Sequence, residues 1–150
     1  MADISAKLVQ ELREKSGAGM MECKKALVAS NGDLDGAMEE LKKSGAMKAE
    51  KRGDRETGEG LIETYVHNGR IGVMLDFRAE TDFVVRSEDF QKVAKELVMH
   101  IASLHSDSVE ELLEQDFIMN PDQKIKDRIT ELIGKTGENI RIARFARFEL

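Results

Sequence analysis

The apolar residues of this 150-residue chain follow a helical period as far as Gly45 and a period of two from about Leu61, and that switch restricts the available folds more than any other feature. Ile4, Leu8 and Leu12 recur every four residues with Val9 beside them, and the run stops at Ser16-Gly17-Ala18-Gly19, as an amphipathic helix with a glycine stop should. Met20 to Ala29 reads as a second helix closed by Asn31-Gly32. Asp33 then supplies the N-cap of a third, in which Leu34, Ala37, Met38 and Leu41 follow the i, i+3, i+4, i+7 rule up to a stop at Gly45. Short helices with one apolar stripe each are stabilised by packing on one another, so a small three-helix bundle is expected over residues 1–52.

Ala46 to Gly60 alternates in charge with almost no large apolar side chain, which reads as a charged helix and linker. Ile71, Val73, Leu75 and Phe77 then alternate with Gly72, Met74, Asp76 and Arg78, the pattern of a half-buried strand. His67-Asn68-Gly69-Arg70 separates this run from Leu61 to Val66, and Asn-Gly between two such runs predicts a hairpin because both residues tolerate positive φ. Phe90, Val93, Ala94, Leu97, Val98, Ile101 and Ala102 form a long helical stripe that should lie across the sheet. A shorter helix is expected after Ser108, and another through Ile125, Ile129, Leu132 and Ile133, closed by Gly134 or Gly137. The final segment alternates as Ile140 and Ile142, slips phase at Ala143 and resumes through Phe145 and Phe148, as a bulged strand would. The expected fold is therefore α+β: the helical bundle, then an antiparallel sheet covered by helices over residues 53–150.

Charge narrows the function classes. Twenty-three Lys and Arg against 29 Asp and Glu leave a net charge of −6, which disfavours general binding to nucleic acid or to an anionic membrane and favours a protein partner. No apolar run approaches the roughly 20 residues of a membrane helix, and the N-terminal stretch lacks a signal-type apolar core, so a cytoplasmic protein is expected. The one cysteine, Cys23, excludes an intrachain disulfide and reads as a small buried filler. From Asp107 to Asp122 there are acids and no bases, which predicts a solvated, self-repelling face.

Several fragments imitate catalytic or nucleotide sites and fail on spacing. Gly134-Lys135-Thr136 lacks the glycine a phosphate loop needs, since Ile129 stands there. Gly17-Ala18-Gly19 has Glu22 in place of the third glycine of a dinucleotide fingerprint and follows a helix. His100 and His105 are five apart, which does not put them on one helix face as a zinc pair would be. No catalytic residue, metal site or cofactor site is expected. Arg141, Arg144 and Arg147 line the last strand either as an RNA-facing strip or, the favoured reading, as charges that keep a strand edge soluble.

Two segments exceed what packing requires. In Leu12-Arg13-Glu14-Lys15-Ser16-Gly17-Ala18-Gly19-Met20-Met21-Glu22-Cys23-Lys24-Lys25-Ala26-Leu27, adjacent methionines open a helix and cannot both face inward. They are either a protein-binding surface, for which polarizable Met is suited, or filler at a bundle corner. In Glu80-Thr81-Asp82-Phe83-Val84, between a strand and the long helix, an acid and an aromatic ring can be presented together as a wedge. The bland reading makes Thr81 or Asp82 a helix cap and Phe83 a staple onto the core.

These two segments, in this order, resemble the two signatures of the bacterial elongation factor Ts family, the guanine-nucleotide exchange factors of elongation factor Tu. The first departs from the usual pattern at Ser16 and the second at Asp76, Arg78 and Val85, with the Thr-Asp-Phe-Val centre intact. The likeness extends to Lys42 through Ala49, Tyr65 through Val73, Met99 through Ala102 and Gly137 through Leu150. The chain is similar to the short type with a single core half-domain, and only the stretch from Leu104 to Asp122 stands where longer members have a helical hairpin.

The resemblance implies a ubiquitin-associated-like N-terminal bundle that docks on the partner through Leu12, Met20 and Met21. It implies a loop, Thr81, Asp82, Phe83 and Val84, that disturbs the partner's Mg²⁺ site, and a weaker contact through Tyr65, His67 and Arg70. It implies a non-enzymatic exchange factor with elongation factor Tu as partner, a homodimer formed through the core sheet, and no direct contact with nucleic acid or membrane. Two other classes compete. A simple helix-binding adaptor would need only the first 52 residues and leave the Asp82-Phe83 loop idle, and a ribosome-associated RNA binder would use Arg141, Arg144 and Arg147.

Overall fold

In the computed structural model, which describes residues 3–150, the Ser5 hydroxyl accepts from the Leu8 N–H at 3.2 Å and starts helix α1, Ala6–Ser16. Gly17 ends it with φ 70°, a left-handed conformation that favours glycine, and its N–H donates to Arg13 C=O. Helix α2 is Met20–Ala29, and Asn31 and Gly32 turn the chain with φ 53° and 85°. The Asp33 carboxylate accepts from the Gly36 N–H at 2.8 Å at the head of helix α3, Leu34–Arg52. Val9, Leu12, Cys23, Ala26, Leu27 and Ala37 are buried together, with Leu8, Leu34, Met38 and Leu41 around them. The backbone divides into two compact units, Met1–Lys51 and Arg52–Leu150, and this core belongs to the first.

Helix α3 corrects one expectation: Gly45 does not end it. Gly45 has no positive φ, and the residues after it, Ala46 through Arg52, are mostly strong helix formers that carry the helix on. An ion pair from Lys48 to Glu22 of α2 fixes the extension within the unit.

The second unit begins with the hairpin. Strand β1, Glu59–His67, pairs antiparallel with β2, Ile71–Ala79, in register from Glu59 opposite Ala79 to His67 opposite Ile71. Asn68 and Gly69 make the turn with φ 51° and 65°, the positive-φ pair that matches strand twist. A one-turn helix α4, Asp82–Val85, leads to α5, Glu88–Ser103, whose Ser87 N-cap accepts from the Phe90 N–H. Helix α6, Val109–Glu114, follows its Ser108 cap. Strands β3, Asp116–Phe117, and β4, Asn120–Lys124, form a small separate hairpin before α7, Ile125–Thr136, which Gly137 ends at φ 78°. The last strand, β5, Ile140–Glu149, pairs antiparallel with β2, giving the order β1-β2-β5.

Ala143 is the extra residue: Asp76 faces Arg144 and Phe77 faces Ile142, so the phase slip in the sequence is a bulge. It keeps Ile140 and Ile142 on the same face as Phe145. That face, with Val73, Leu75, Phe77 and Ala79 of β2, packs under Phe90, Val93, Leu97 and Ile101 of α5, and the Phe77 and Phe90 rings stack 4.5 Å apart. The other face carries Ile62, Val66, Met74 and Phe148, all exposed.

The acidic segment departs from its expected form. Glu114 is bridged by Lys124 at 2.9 Å and Lys126 at 2.7 Å, and these hydrogen bonds, Lys126 first, hold its carboxyl below the usual range. The compensating cations lie just beyond the acidic run, where chain order hid them and the β3-β4 hairpin brings them back. His100, fully buried, holds this hairpin to α5: its Nδ1 accepts from the Ile118 N–H at 3.2 Å, which leaves Nε2 to donate to Gln115 Oε1 at 2.9 Å.

Candidate functional site

Thr81 leaves β2 in extended conformation, and its hydroxyl accepts from the Val84 N–H at 3.4 Å, which nucleates α4. Val84 and Val85 are buried and fasten the turn to the unit. With those two inward, the helical period turns Asp82 and Phe83 outward. Phe83 keeps 86% of its surface exposed, more than any other large apolar side chain among the described residues. The cap reading of Thr81 therefore holds, while Phe83 is no staple. An exposed phenyl ring adds little to the isolated fold, which leaves Phe83, presented beside the Asp82 carboxylate, free to contact another molecule.

Beside the ring, the Asp82 carboxylate pairs with Arg86 one turn on, at 2.8 Å. Arg86 was absent from the residues singled out in the sequence, although the i, i+4 spacing on a helix would have found it. Any cation that Asp82 is to meet elsewhere competes with this guanidinium.

In the N-terminal unit, Met20 and Met21 are 58% and 65% exposed, so neither fills the core. Val28 on the same helix and Met47 on α3 are exposed as well. Leu12 is a correction: it is completely buried among Val9, Cys23 and Leu27, so it cannot itself meet a partner and instead supports the helix that carries the methionines. The i, i+4 stripe that marked α1 as amphipathic already contained Leu12, and core membership was the reading to take from it.

Tyr65, His67 and Arg70 come together at the β1-β2 turn. The Tyr65 hydroxyl lies 2.9 Å from His67 Nδ1, and the Asn68 amide 3.3 Å from His67 Nε2. Arg70 Nη2 donates to Leu150 C=O at 3.1 Å, and Leu150 N–H donates back to Arg70 C=O. This cluster stands at the start of β2 and the Phe83 turn at its end, about 25–30 Å apart for a nine-residue strand. The two candidate contacts of this unit are thus not one site.

The arginines of β5 do not form a strip. Arg141 donates to Thr57 Oγ1 at 2.7 Å, Arg144 to Asp76 at 3.2 Å, and Arg147 turns to the helix side, where it donates to Ile101 and Ala102 C=O at 2.9 and 3.0 Å. Arg147 thereby satisfies carbonyls at the end of α5. Asp76, nearly buried, is bonded by Arg78 at 2.6 Å and by Arg144, and the Arg78 hydrogen bond is the main cause that holds its carboxyl below the usual value. Among the described residues no cluster of His, Cys, Asp and Glu is arranged to hold a metal, and no helix is long and apolar enough to cross a membrane. Gly134 and Lys135 lie inside α7, with Lys135 paired to Asp89, which is no phosphate loop.

Comparison with known proteins agrees with the motifs. The protein-family model described as Elongation factor TS matches residues 80–150, a span that opens on the Phe83 turn and includes β5. An elongation factor Ts from Desulfotalea psychrophila is 38% identical over 192 residues, covering 98% of each chain, and one from Thermodesulfovibrio yellowstonii is 39% identical over 191, covering 98% of this chain and 96% of the relative. An elongation factor Ts from Nostoc sp. is 45% identical over the whole of this chain and 48% of its own length. The first alignment is longer than this chain, 192 positions against 150 residues, so that relative carries a stretch absent here. On these matches the chain belongs to the elongation factor Ts family of translation elongation factors.

Proposed function

We propose that the chain is the guanine-nucleotide exchange factor of elongation factor Tu, a non-enzymatic protein that acts in the cytoplasm by inserting the Asp82-Phe83 turn near the partner's Mg²⁺ site. The observation that carries this is Phe83 itself, held almost wholly in solvent by a turn whose neighbours Val84 and Val85 are buried. The N-terminal unit, read as a ubiquitin-associated-like bundle, docks on the nucleotide domain through Met20 and Met21. Tyr65, His67 and Arg70 add a second, smaller contact.

Mg²⁺ neutralises the phosphates of bound guanosine diphosphate, and moving its ligands loosens the nucleotide without any bond being made or broken. Nucleotide and factor then weaken each other by the same factor. A nanomolar nucleotide represents about 12 kcal/mol, so the factor must recover a comparable amount through its own interface. Hot spots of about 2–4 kcal/mol each supply that from a few residues, and a desolvated aromatic ring is the usual one.

The exposed sheet face of Ile62, Val66, Met74 and Phe148 supports the companion reading, a homodimer through the core sheet. The exchange reading is tested by equilibrium titration: the affinity of the chain for elongation factor Tu should fall on adding guanosine diphosphate by the same factor as the chain lowers nucleotide affinity. Equal affinity with and without nucleotide would refute it.

A further inference from the structure

The Phe83 turn is held from outside by a residue that the mechanism above does not use. Both oxygens of the Glu138 carboxylate accept from Thr81: Oε1 from its N–H at 2.9 Å and Oε2 from its hydroxyl at 2.6 Å. Because the hydroxyl hydrogen is committed to Glu138, the lone pairs of Thr81 Oγ1 are left for the Val84 N–H, which is the bond that nucleates α4. The link is returned in the other direction, since Glu80 Oε1 accepts from the Asn139 N–H at 2.7 Å. Residues 80–81 and 138–139 therefore exchange carboxylate-to-backbone bonds across two segments that lie 57 residues or more apart in the chain.

What aims Glu138 is the end of α7. Gly137 takes the left-handed conformation at φ 78°, and the Glu138 N–H then donates to Thr136 Oγ1 at 3.3 Å. On the far side, Asn139, nearly buried, donates its amide to Gly53 and Arg55 C=O at 3.3 and 2.9 Å. Glu138 is thus fixed at both neighbours before it reaches Thr81. Charge-assisted bonds of this kind are stronger than neutral ones, and two on one residue set direction as well as distance.

We propose that Glu138 is a positioning residue for the exchange loop: it sets the Thr81 cap, hence the orientation of α4, hence the direction in which Phe83 and Asp82 project. This rests on the exchange reading of that loop. Buried Val84 and Val85 anchor α4, but a four-residue helix has too few internal bonds to fix its own start, so without the Glu138 latch its first residues sample other conformers and the fraction competent to act falls.

The experiment compares the native chain with Glu138→Ala and Glu138→Gln. Amide hydrogen exchange of each protein alone reads the latch. The Thr81 and Val84 amides should lose protection in Glu138→Ala while those of the β1-β2 ladder keep theirs, a pattern general destabilisation would not give. Maximal release of fluorescent guanosine diphosphate from elongation factor Tu should fall by about tenfold to a hundredfold, with Glu138→Gln between alanine and native because its one amide oxygen can still accept from the Thr81 N–H. Where Glu138→Ala is unfolded at the assay temperature, Glu138→Gln decides the matter. Native protection of Thr81 and Val84 together with a native rate in the folded variant would overturn the proposal. Failure of the native chain itself to speed release would strike the exchange reading instead, and the hydrogen-exchange result would still stand.

Discussion

Phe83 and His100 mark the two ways a single residue can depart from ordinary packing here. Phe83 gives up burial, and a ring that gains nothing from the fold is free to be a binding hot spot. Phe83→Ala should leave thermal stability within about 0.5 kcal/mol of native. It should weaken binding to nucleotide-free elongation factor Tu by about 2–4 kcal/mol, measured by isothermal titration. His100 is the opposite case, a titratable ring buried with both nitrogens engaged, and burial pushes its pKa down despite the opposing Gln115 hydrogen bond. Because the folded chain resists the proton that the unfolded chain accepts, stability is complete above the ordinary histidine value of 6.5 and declines as pH falls below it. Urea unfolding at pH 7.5 and pH 5.5 should show a larger loss for the native chain than for His100→Gln, whose amide has no such titration. Equal losses would show that His100 does not set the acid sensitivity of the fold.

At the scale of elements, the hairpin shows where a strand must be a particular residue for steric reasons. A Cβ built on Gly60 of β1 would lie 2.5 Å from the Phe77 carbonyl oxygen, which is backbone and cannot step aside. Gly60→Ala should therefore cost about 1–3 kcal/mol in chemical denaturation, more than the surface position of the residue suggests. Asp76 is the polar counterpart: Asp76→Asn weakens the bonds from Arg78 and Arg144 and should cost about 2 kcal/mol at neutral pH. The deficit should shrink in acid, because the native carboxylate contributes above its ordinary pKa and stops contributing as pH falls through its lowered folded value. The elements that sequence periodicity revealed are those whose signal is local: the Asn68-Gly69 turn, the α5 stripe, and the Ala143 bulge read from one slip of phase. Gly45 misled because a glycine marks a helix end only when the following residues do not favour continuation, and those from Ala46 to Arg52 do. The β3-β4 hairpin was hidden for another reason: its strands are too short to show alternation, and the Glu114 pairs with Lys124 and Lys126 and the His100 bond that hold it sit at separations of 10 to 18 residues, which match no helical or strand period.

For the molecule as a whole, each of the two units carries its own candidate surface, and each had to be read from its own segment of sequence. The methionine pair and the Asp-Phe wedge could each be seen as unusual in sequence, yet exposure separated Met20, Met21 and Phe83 from Leu12 and Val84, which lie in the cores. The Arg86 pair with Asp82 was within reach of a helix-spacing argument, whereas the Glu138 bond to Thr81 joins segments 57 residues apart and exists only in the folded geometry. The uncovered sheet face belongs to this scale too. If it is the surface through which two copies meet, Met74→Asp, at the middle of the central strand, should convert a dimer to a monomer in light scattering at micromolar concentration. A native chain that is monomeric under the same conditions would end that reading. Release of nucleotide from elongation factor Tu through the Phe83 turn is measured by stopped-flow release of fluorescent guanosine diphosphate. The native chain at saturating concentration should accelerate release strongly, and the Asp82→Ala/Phe83→Ala double variant should lose that acceleration. Release that is no faster with the native chain than without it, or that the double variant speeds equally well, would contradict exchange through this turn.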